Sequence, residues 1–270
     1  VEFSGLLATG ASKERIRLEL LKAMAVKKPS VFFSALQKTG LLASVLPSLD
    51  RCHHLDGGPH HGETVFKHCM LVGDALPSSR PLLRLAGFLH DTGKFDAATI
   101  KNSHLTFPNH EKYWHQTVQD LERLRFSVKE INHVKALILS HMRPLTPEST
   151  PKAVRRLLVM LEDNHLDYRD FLRMRIADRK GNLAKPRYTL AEIRVRLEKI
   201  VTEINDPRGF QMRDLNITGT DISRILKIEP GPRVGKIKKQ IFQKVVEDPS
   251  LNTPEKLERL CRSLATNTSA

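Results

Sequence analysis

No stretch of this chain approaches the roughly 18 consecutive apolar residues of a membrane-spanning helix, and no basic-then-apolar leader opens it, so no membrane partner is expected. The first residue is Val1, as at a cut end. Cysteine is scarce: Cys52, Cys69 and Cys261 are odd in number and lack CxxC spacing. That excludes a disulfide framework or a zinc ribbon and points to a reducing cytoplasm. Aromatics make up only 6% of residues, and no aromatic-studded RNA motif is present. A Gly-rich phosphate loop, a Ser-His-Asp arrangement, an internal repeat and the alternation of a strand are also missing.

What is there is charge and histidine. The 270 residues are 40% hydrophobic and 27% charged, a globular balance with enough length to bury a core, and the net charge is +14. The excess is steepest over 151–200, where thirteen basic residues face seven acidic ones. Arg155, Arg156, Arg173, Arg175, Arg179, Lys180, Lys185 and Arg187 lie there. A basic surface attracts polyanions, and RNA is the natural partner, with Arg179 and Lys180 as candidate contacts. The plainer alternative is a basic surface with no specific partner.

The periodicity is helical nearly throughout, so the expected fold class is all-α. Ser12 opens a helix striped by Ile16, Leu20 and Met24; a second runs from Val31 and stops at Gly40. Glu63–Leu76, Leu82–His90, a segment capped by Asn109 from His110, and a segment from Ser127 to His141 follow. Ser127 with Glu130 reads as a capping box. Thr92 to Pro108 reads as a loop; Lys152–Glu162, Asp167–Ala177 (with Gly181 as a stop) and Thr189–Ile204 read as further helices. Pro207 and Gly209 mark a hinge into a tail of two short helices, the second striped by Val234, Ile237, Ile241 and Val245. Three segments are expected: 1–50, 51–206 and 207–270.

All twelve histidines lie between His53 and His165. Six residues in that central region fit one metal scheme: His68, the doublet His90-Asp91, His110, His141 and Asp178. A histidine, a His-Asp doublet, two more histidines and a late aspartate is the ligand order of a two-metal HD phosphohydrolase. Asp91 follows the apolar run Leu85–Leu89 with only His90 between, where a carboxylate costs several kcal/mol to bury without a cation. For each residue the bland alternative is a satisfied core histidine or a solvated helix end. Mixed imidazole and carboxylate donors suit Mn, Fe, Co, Ni or Zn better than Mg, and two such divalent ions would acidify a shared water while neutralising phosphate oxygens. Asp91, Lys94 and Arg143 are the candidate catalytic residues, the two cationic side chains as phosphate clamps.

With these residues in view, the chain resembles a known family over nearly its whole length. Ser12-Lys13-Glu14-Arg15-Ile16, then Gly40-Leu41-Leu42 and Leu46-Pro47, look like the RNA-binding region after the head and neck of bacterial tRNA nucleotidyltransferases and poly(A) polymerases. His90-Asp91-Thr92-Gly93-Lys94 with Asn109-His110-Glu111 is similar to the HD domain of the CCA-adding subgroup. Gly219-Thr220-Asp221 and Pro230-Gly231-Pro232-Arg233-Val234-Gly235 resemble that family's C-terminal motif, with Gly231 and Arg233 as candidate phosphate contacts. The Gly-Gly-Ser loop and paired aspartates of the family's polymerase head are not seen. The resemblance implies a helical RNA-binding body over 1–50, an HD phosphohydrolase domain over 51–206 and a helical tail over 207–270. It also implies metal-dependent 2′,3′-cyclic phosphodiesterase, 2′-nucleotidase and phosphatase activity on RNA ends, tRNA among them, or nucleotides. Two other readings stay open: a non-catalytic RNA-binding part of a nucleotidyltransferase, and an HD hydrolase of free or signalling nucleotides.

Overall fold

The computed structural model describes residues 12–59, 62–206 and 211–266. The first helices are α1 (Lys13–Ala25), α2 (Ser30–Lys38), α3 (Leu42–Val45), α4 (Pro47–Asp50), α5 (Val65–Ala75), α6 (Pro81–Leu89) and α7 (Lys94–Ala97). A hairpin of β1 (Thr99–Lys101) and β2 (His104–Thr106) follows, then a 3₁₀ turn at His110–Lys112. The rest is α8 (His115–Arg123), α9 (Val128–Ser140), α10 (Pro151–Asp163), α11 (Tyr168–Gly181), α12 (Leu190–Ile204), α13 (Gly219–Leu226), α14 (Pro232–Glu247) and α15 (Pro254–Thr266). The class is all-α, as expected, and among the described residues no helix is long and apolar enough to cross a membrane.

The chain divides into two compact units, residues 1–143 with 163–193, and residues 144–162 with 194–270. In the first, α5 and α6 form the centre. Their apolar residues are buried on several sides: Val65, Phe66, Cys69, Met70 and Val72 on α5, and Leu83, Leu85, Phe88 and Leu89 on α6. The two helices cross closely because Gly73 has no side chain; a Cβ there would stand 2.3 Å from the Phe88 ring. Buried Arg84 ties the end of α1 to this pair, its guanidinium donating to the carbonyls of Gly73, Met24, Val26 and Lys27. Without such a staple the carbonyls ending α1 lack intrahelical donors.

In the second unit Leu215, Ile217, Ile222, Val234, Ile237, Ile241, Phe242, Val245, Leu257 and Cys261 share one core. The stripe expected on α14 faces it. Arg155 joins the base of this unit, donating to Glu203 at 2.7 Å and to the Val246 carbonyl at 2.9 Å.

Several local expectations change. The segment after Gly93 contains a hairpin, not only loop, because Asn102 and Ser103 both take positive φ (49° and 61°), the geometry of a two-residue turn that matches strand twist. Asn109 does not cap a helix: it is left-handed itself, at φ 53°, and leads only into the 3₁₀ turn, so the next α-helix starts at His115. The last helix of the first unit does not close at Ala177 but runs through Gly181, which places Asp178 inside it. Among its described residues the tail holds three α-helices, α14 being sixteen residues long; the polar sequence of α15 hid its Leu257–Cys261 stripe. The hinge expected at Pro207 and Gly209 lies outside the described residues. Among the described residues all three cysteines are free and buried, in line with the absence of a disulfide framework.

Candidate metal centre

Helix and turn ends carry three of the six side chains, and helix interiors carry two. His90 is the C-cap of α6 and His141 the C-cap of α9; His110 opens the 3₁₀ turn; His68 sits mid-helix on α5 and Asp178 within α11. Asp91 follows His90 where the chain turns. That turn needs Gly93, because a Cβ there would lie 2.3 Å from the His110 carbonyl and 2.9 Å from that of Tyr113. The 3₁₀ turn therefore presses on the doublet, and His110 reaches Asp91.

Asp91 is the hub. Its Oδ1 lies 3.0 Å from His110 Nε2 and 3.4 Å from His141 Nε2, while Oδ2 lies 3.4 Å from His90 Nε2 and 3.5 Å from His68 Nε2. Asp178 Oδ1 is 3.1 Å from His68 Nε2 and 3.8 Å from His90 Nε2. His68, His90, Asp91, His110 and His141 are all buried. Donor atoms of His68, His90 and Asp178 form one close group, and those of His90, Asp91 and His141 another, each compact enough for an ion.

The tautomers follow from local backbone. His90 Nδ1 donates to the Gly87 carbonyl at 2.9 Å, His110 Nδ1 to that of Phe107 at 3.1 Å, and His141 Nδ1 to that of Ile138 at 2.6 Å. At the end of a helix such carbonyls are available. With Nδ1 holding a hydrogen, Nε2 of each ring carries a lone pair or a displaceable proton turned into the cluster. Buried His90 Nε2 makes no hydrogen bond among the described residues, and His110 Nε2 faces His141 Nε2 at 3.1 Å. Lone pairs and carboxylates crowded in this way need a cation or protons between them, and a divalent ion fits the donor set.

Protons fill that role in the metal-free chain. Burial alone lowers the pKa of His68, but the Asp178 and Glu63 carboxylates override it and push the imidazole up to about 9. Burial likewise opposes the charged form of His110, yet Asp91 holds its pKa above the ordinary value. For His141 burial wins and the pKa falls, which keeps that ring neutral. Burial would raise the carboxyl of Asp91, but His90, Lys94 and the other imidazoles hold it well below the usual range; His68 and His90 do the same for Asp178.

The remaining expected residues are placed differently. Lys94, also buried, donates to Asp91 Oδ2 at 2.8 Å and stands over the Phe107 ring. Arg143, two residues past His141, is exposed. Arg179 is half-buried, donating to the Pro186 carbonyl and lying over the Tyr188 ring, while Lys180 is exposed beside it. Gly231 and Arg233 are exposed in the second unit at the start of α14, where Gly231 has extended backbone (φ 169°) that any residue could adopt. Sequence reasoning missed Glu63, whose carboxylate lies 3.3 Å from His68 Nδ1. Its position five residues before a helical histidine carries no periodic signal, since only the cap at Thr64 folds the chain back.

Residues 112–260 match the family described as tRNA nucleotidyltransferase domain 2. The chain belongs to that family. His141 and Asp178 fall inside the matched stretch; the other four cluster residues precede it. Residues 6–52 also match a model described as a probable RNA- and SrmB-binding site of polymerase A. This tRNA nucleotidyltransferase-family chain is 27% identical over 240 residues to an A-adding tRNA nucleotidyltransferase of Deinococcus radiodurans, covering 83% of this chain and 52% of that protein. A multifunctional CCA protein of Haemophilus influenzae is 34% identical over 113 residues, 38% of this chain and 26% of its own length. One from Aromatoleum aromaticum is 37% identical over 87 residues, 31% and 21%. The chain thus spans about half the length of the Deinococcus relative, and less of the others.

Proposed function

We propose that residues 51–206 carry an HD-type, metal-dependent phosphohydrolase centre that acts on 2′,3′-cyclic or terminal phosphates of RNA ends or nucleotides. The observation that carries this reading is the convergence of four imidazoles and two carboxylates, three of the imidazoles with Nδ1 already committed to backbone carbonyls. His68, His90 and Asp178 would hold one divalent ion and His110 and His141 the second, with Asp91 within reach of both sets of donors. Bound there, such ions would lower the pKa of a water and neutralise charge on phosphate oxygens. Mn, Ni, Co, Fe or Zn suit these donors better than Mg.

The protein's own residues do the rest. Lys94 donates to Asp91 Oδ2 in the metal-free chain, and with that carboxylate engaged by a bound ion it would offer its ammonium to a phosphate oxygen. Arg143, exposed beyond His141, clamps a second oxygen from the solvent side. Segments 1–50 and 207–270 supply the RNA contact together with Arg179 and Lys180 of the central segment; these two residues, Gly231 and Arg233 meet phosphates, with tRNA or another RNA 3′ end as the partner and the cytoplasm as the setting.

A second reading, a non-catalytic RNA-binding part of a nucleotidyltransferase, is favoured by the match of residues 6–52 to an RNA-binding site. An assay separates the two. The purified chain is incubated with Mn or Ni and a 2′,3′-cyclic mononucleotide, an RNA with a cyclic end, and a panel of dNTPs. Turnover of the cyclic substrates supports the hydrolase; RNA binding with no turnover of anything supports the scaffold; turnover of dNTPs alone redirects the site to free nucleotides.

A further inference from the structure

Among the four imidazoles one is held differently. His90, His110 and His141 stand at helix or turn ends, where a carbonyl three residues back is available to Nδ1. His68 has no such option, because it lies inside α5, where main-chain carbonyls are engaged by the helical ladder. Glu63 stands in for the missing carbonyl. Its Oε1 is 3.3 Å from His68 Nδ1, within ion-pair reach although off the ideal hydrogen-bond line, and its side chain is only 2% exposed.

The other oxygen is also engaged. Glu63 Oε2 accepts from the backbone N–H of Gly62 and of Leu183, each at 3.1 Å. Leu183 comes one residue after Asn182, the C-cap of the helix that carries Asp178. One carboxylate therefore orients the imidazole of His68 and pins the end of α11, so the two ligands furthest apart in sequence are set by the same group. A buried carboxylate held by two backbone donors has little freedom to turn away.

We infer that Glu63 is a positioning residue of the first ion site: it fixes the His68 tautomer so that Nε2 faces the cation, and it couples that ring to the Asp178 helix. The inference rests on the metal-centre reading above. Outer carboxylates of this kind are worth about 10- to 100-fold in metal affinity. Glu63→Gln is the informative change: nearly isosteric, yet its single amide oxygen cannot serve both the imidazole and the paired backbone donors.

The test is a Co(II) titration of the full chain, followed by visible absorption and by competition with a chelator. Glu63→Gln is expected to weaken one of two equivalents by about 10- to 100-fold and to leave the other unchanged. In a His68→Ala background the same change should add less than about twofold, since its partner is gone. Nitrogen NMR of the metal-loaded wild type should show His68 protonated at Nδ1, and Glu63→Gln should disturb that signal alone among the histidines. Unchanged affinity in Glu63→Gln, or an undiminished loss on top of His68→Ala, overturns the inference and leaves the centre standing. A wild-type chain that takes up no Co(II) overturns the centre itself.

Discussion

Neutralising Asp91 is the sharpest perturbation of the centre. Asp91→Asn keeps the shape but removes the charge against which Lys94 is buried, at 2.8 Å, and toward which four imidazoles turn. Lys94 is only 5% exposed. Removing one partner of a buried ion pair costs about 3–5 kcal/mol, because the survivor keeps its desolvation penalty. For a domain of this size that lowers the melting temperature of the metal-free chain by about 6 to 20 °C. The second change, Asp91→Asn with Lys94→Met, removes the stranded ammonium and should recover most of the loss. Metal uptake and hydrolysis should stay absent in both variants. Calorimetry of the metal-free proteins, paired with Co(II) titration, reads the two effects separately. The reasoning is refuted if Asp91→Asn melts with the wild type, or if it still takes up a metal ion.

Three further outcomes are expected. Because the folded-state pKa of His68 is about 9 against an ordinary 6.5, its contribution to stability is fully present below about pH 6.5 and is lost as pH rises through 9. Urea unfolding of the metal-free chain should show a fall of roughly 3 kcal/mol across that window, absent in His68→Ala; equal falls in both proteins would contradict the assignment. Gly93→Ala puts a Cβ 2.3 Å from the His110 carbonyl, so Co(II) titration should show one equivalent weakened at least about tenfold while the His68 side still binds; two intact equivalents would refute it. Arg84→Met strands the carbonyls of Met24, Val26 and Lys27, and urea unfolding should register a loss of about 3–5 kcal/mol. A loss under about 1 kcal/mol would mean those carbonyls find other donors.

Much of the fold was legible because its signals are local. Ser12 caps α1 by accepting from Arg15 N–H, and Ser127 and Glu130 form both bonds of a capping box. The all-α class followed from apolar periodicity. The hairpin was hidden because Asn102 and Ser103 replace the glycine that usually marks such a turn, and its strands are three residues each. Asn109 misled because asparagine suits both a cap and a left-handed turn, and only the packing of Gly93 under His110 and Tyr113 selects the second.

The candidate site divides in the same way. Chain order and side-chain type drew attention to six residues whose donor atoms the fold brings close, since a carboxylate after an apolar helix has few other destinations. Nothing in the spacing showed that His90 and His141 would both be C-caps, or that their Nδ1 atoms would find backbone carbonyls. Glu63 was illegible for a related reason: its role depends on the end of α11, 120 residues away.

The most direct measurement is anomalous diffraction from crystals of this chain grown with Mn(II). Two peaks about 3.5–4 Å apart, one beside His68, His90 and Asp178, the other beside His110 and His141, with Asp91 between them, are the predicted result. An empty cluster at millimolar Mn(II), with Lys94 still paired to Asp91, would contradict the account.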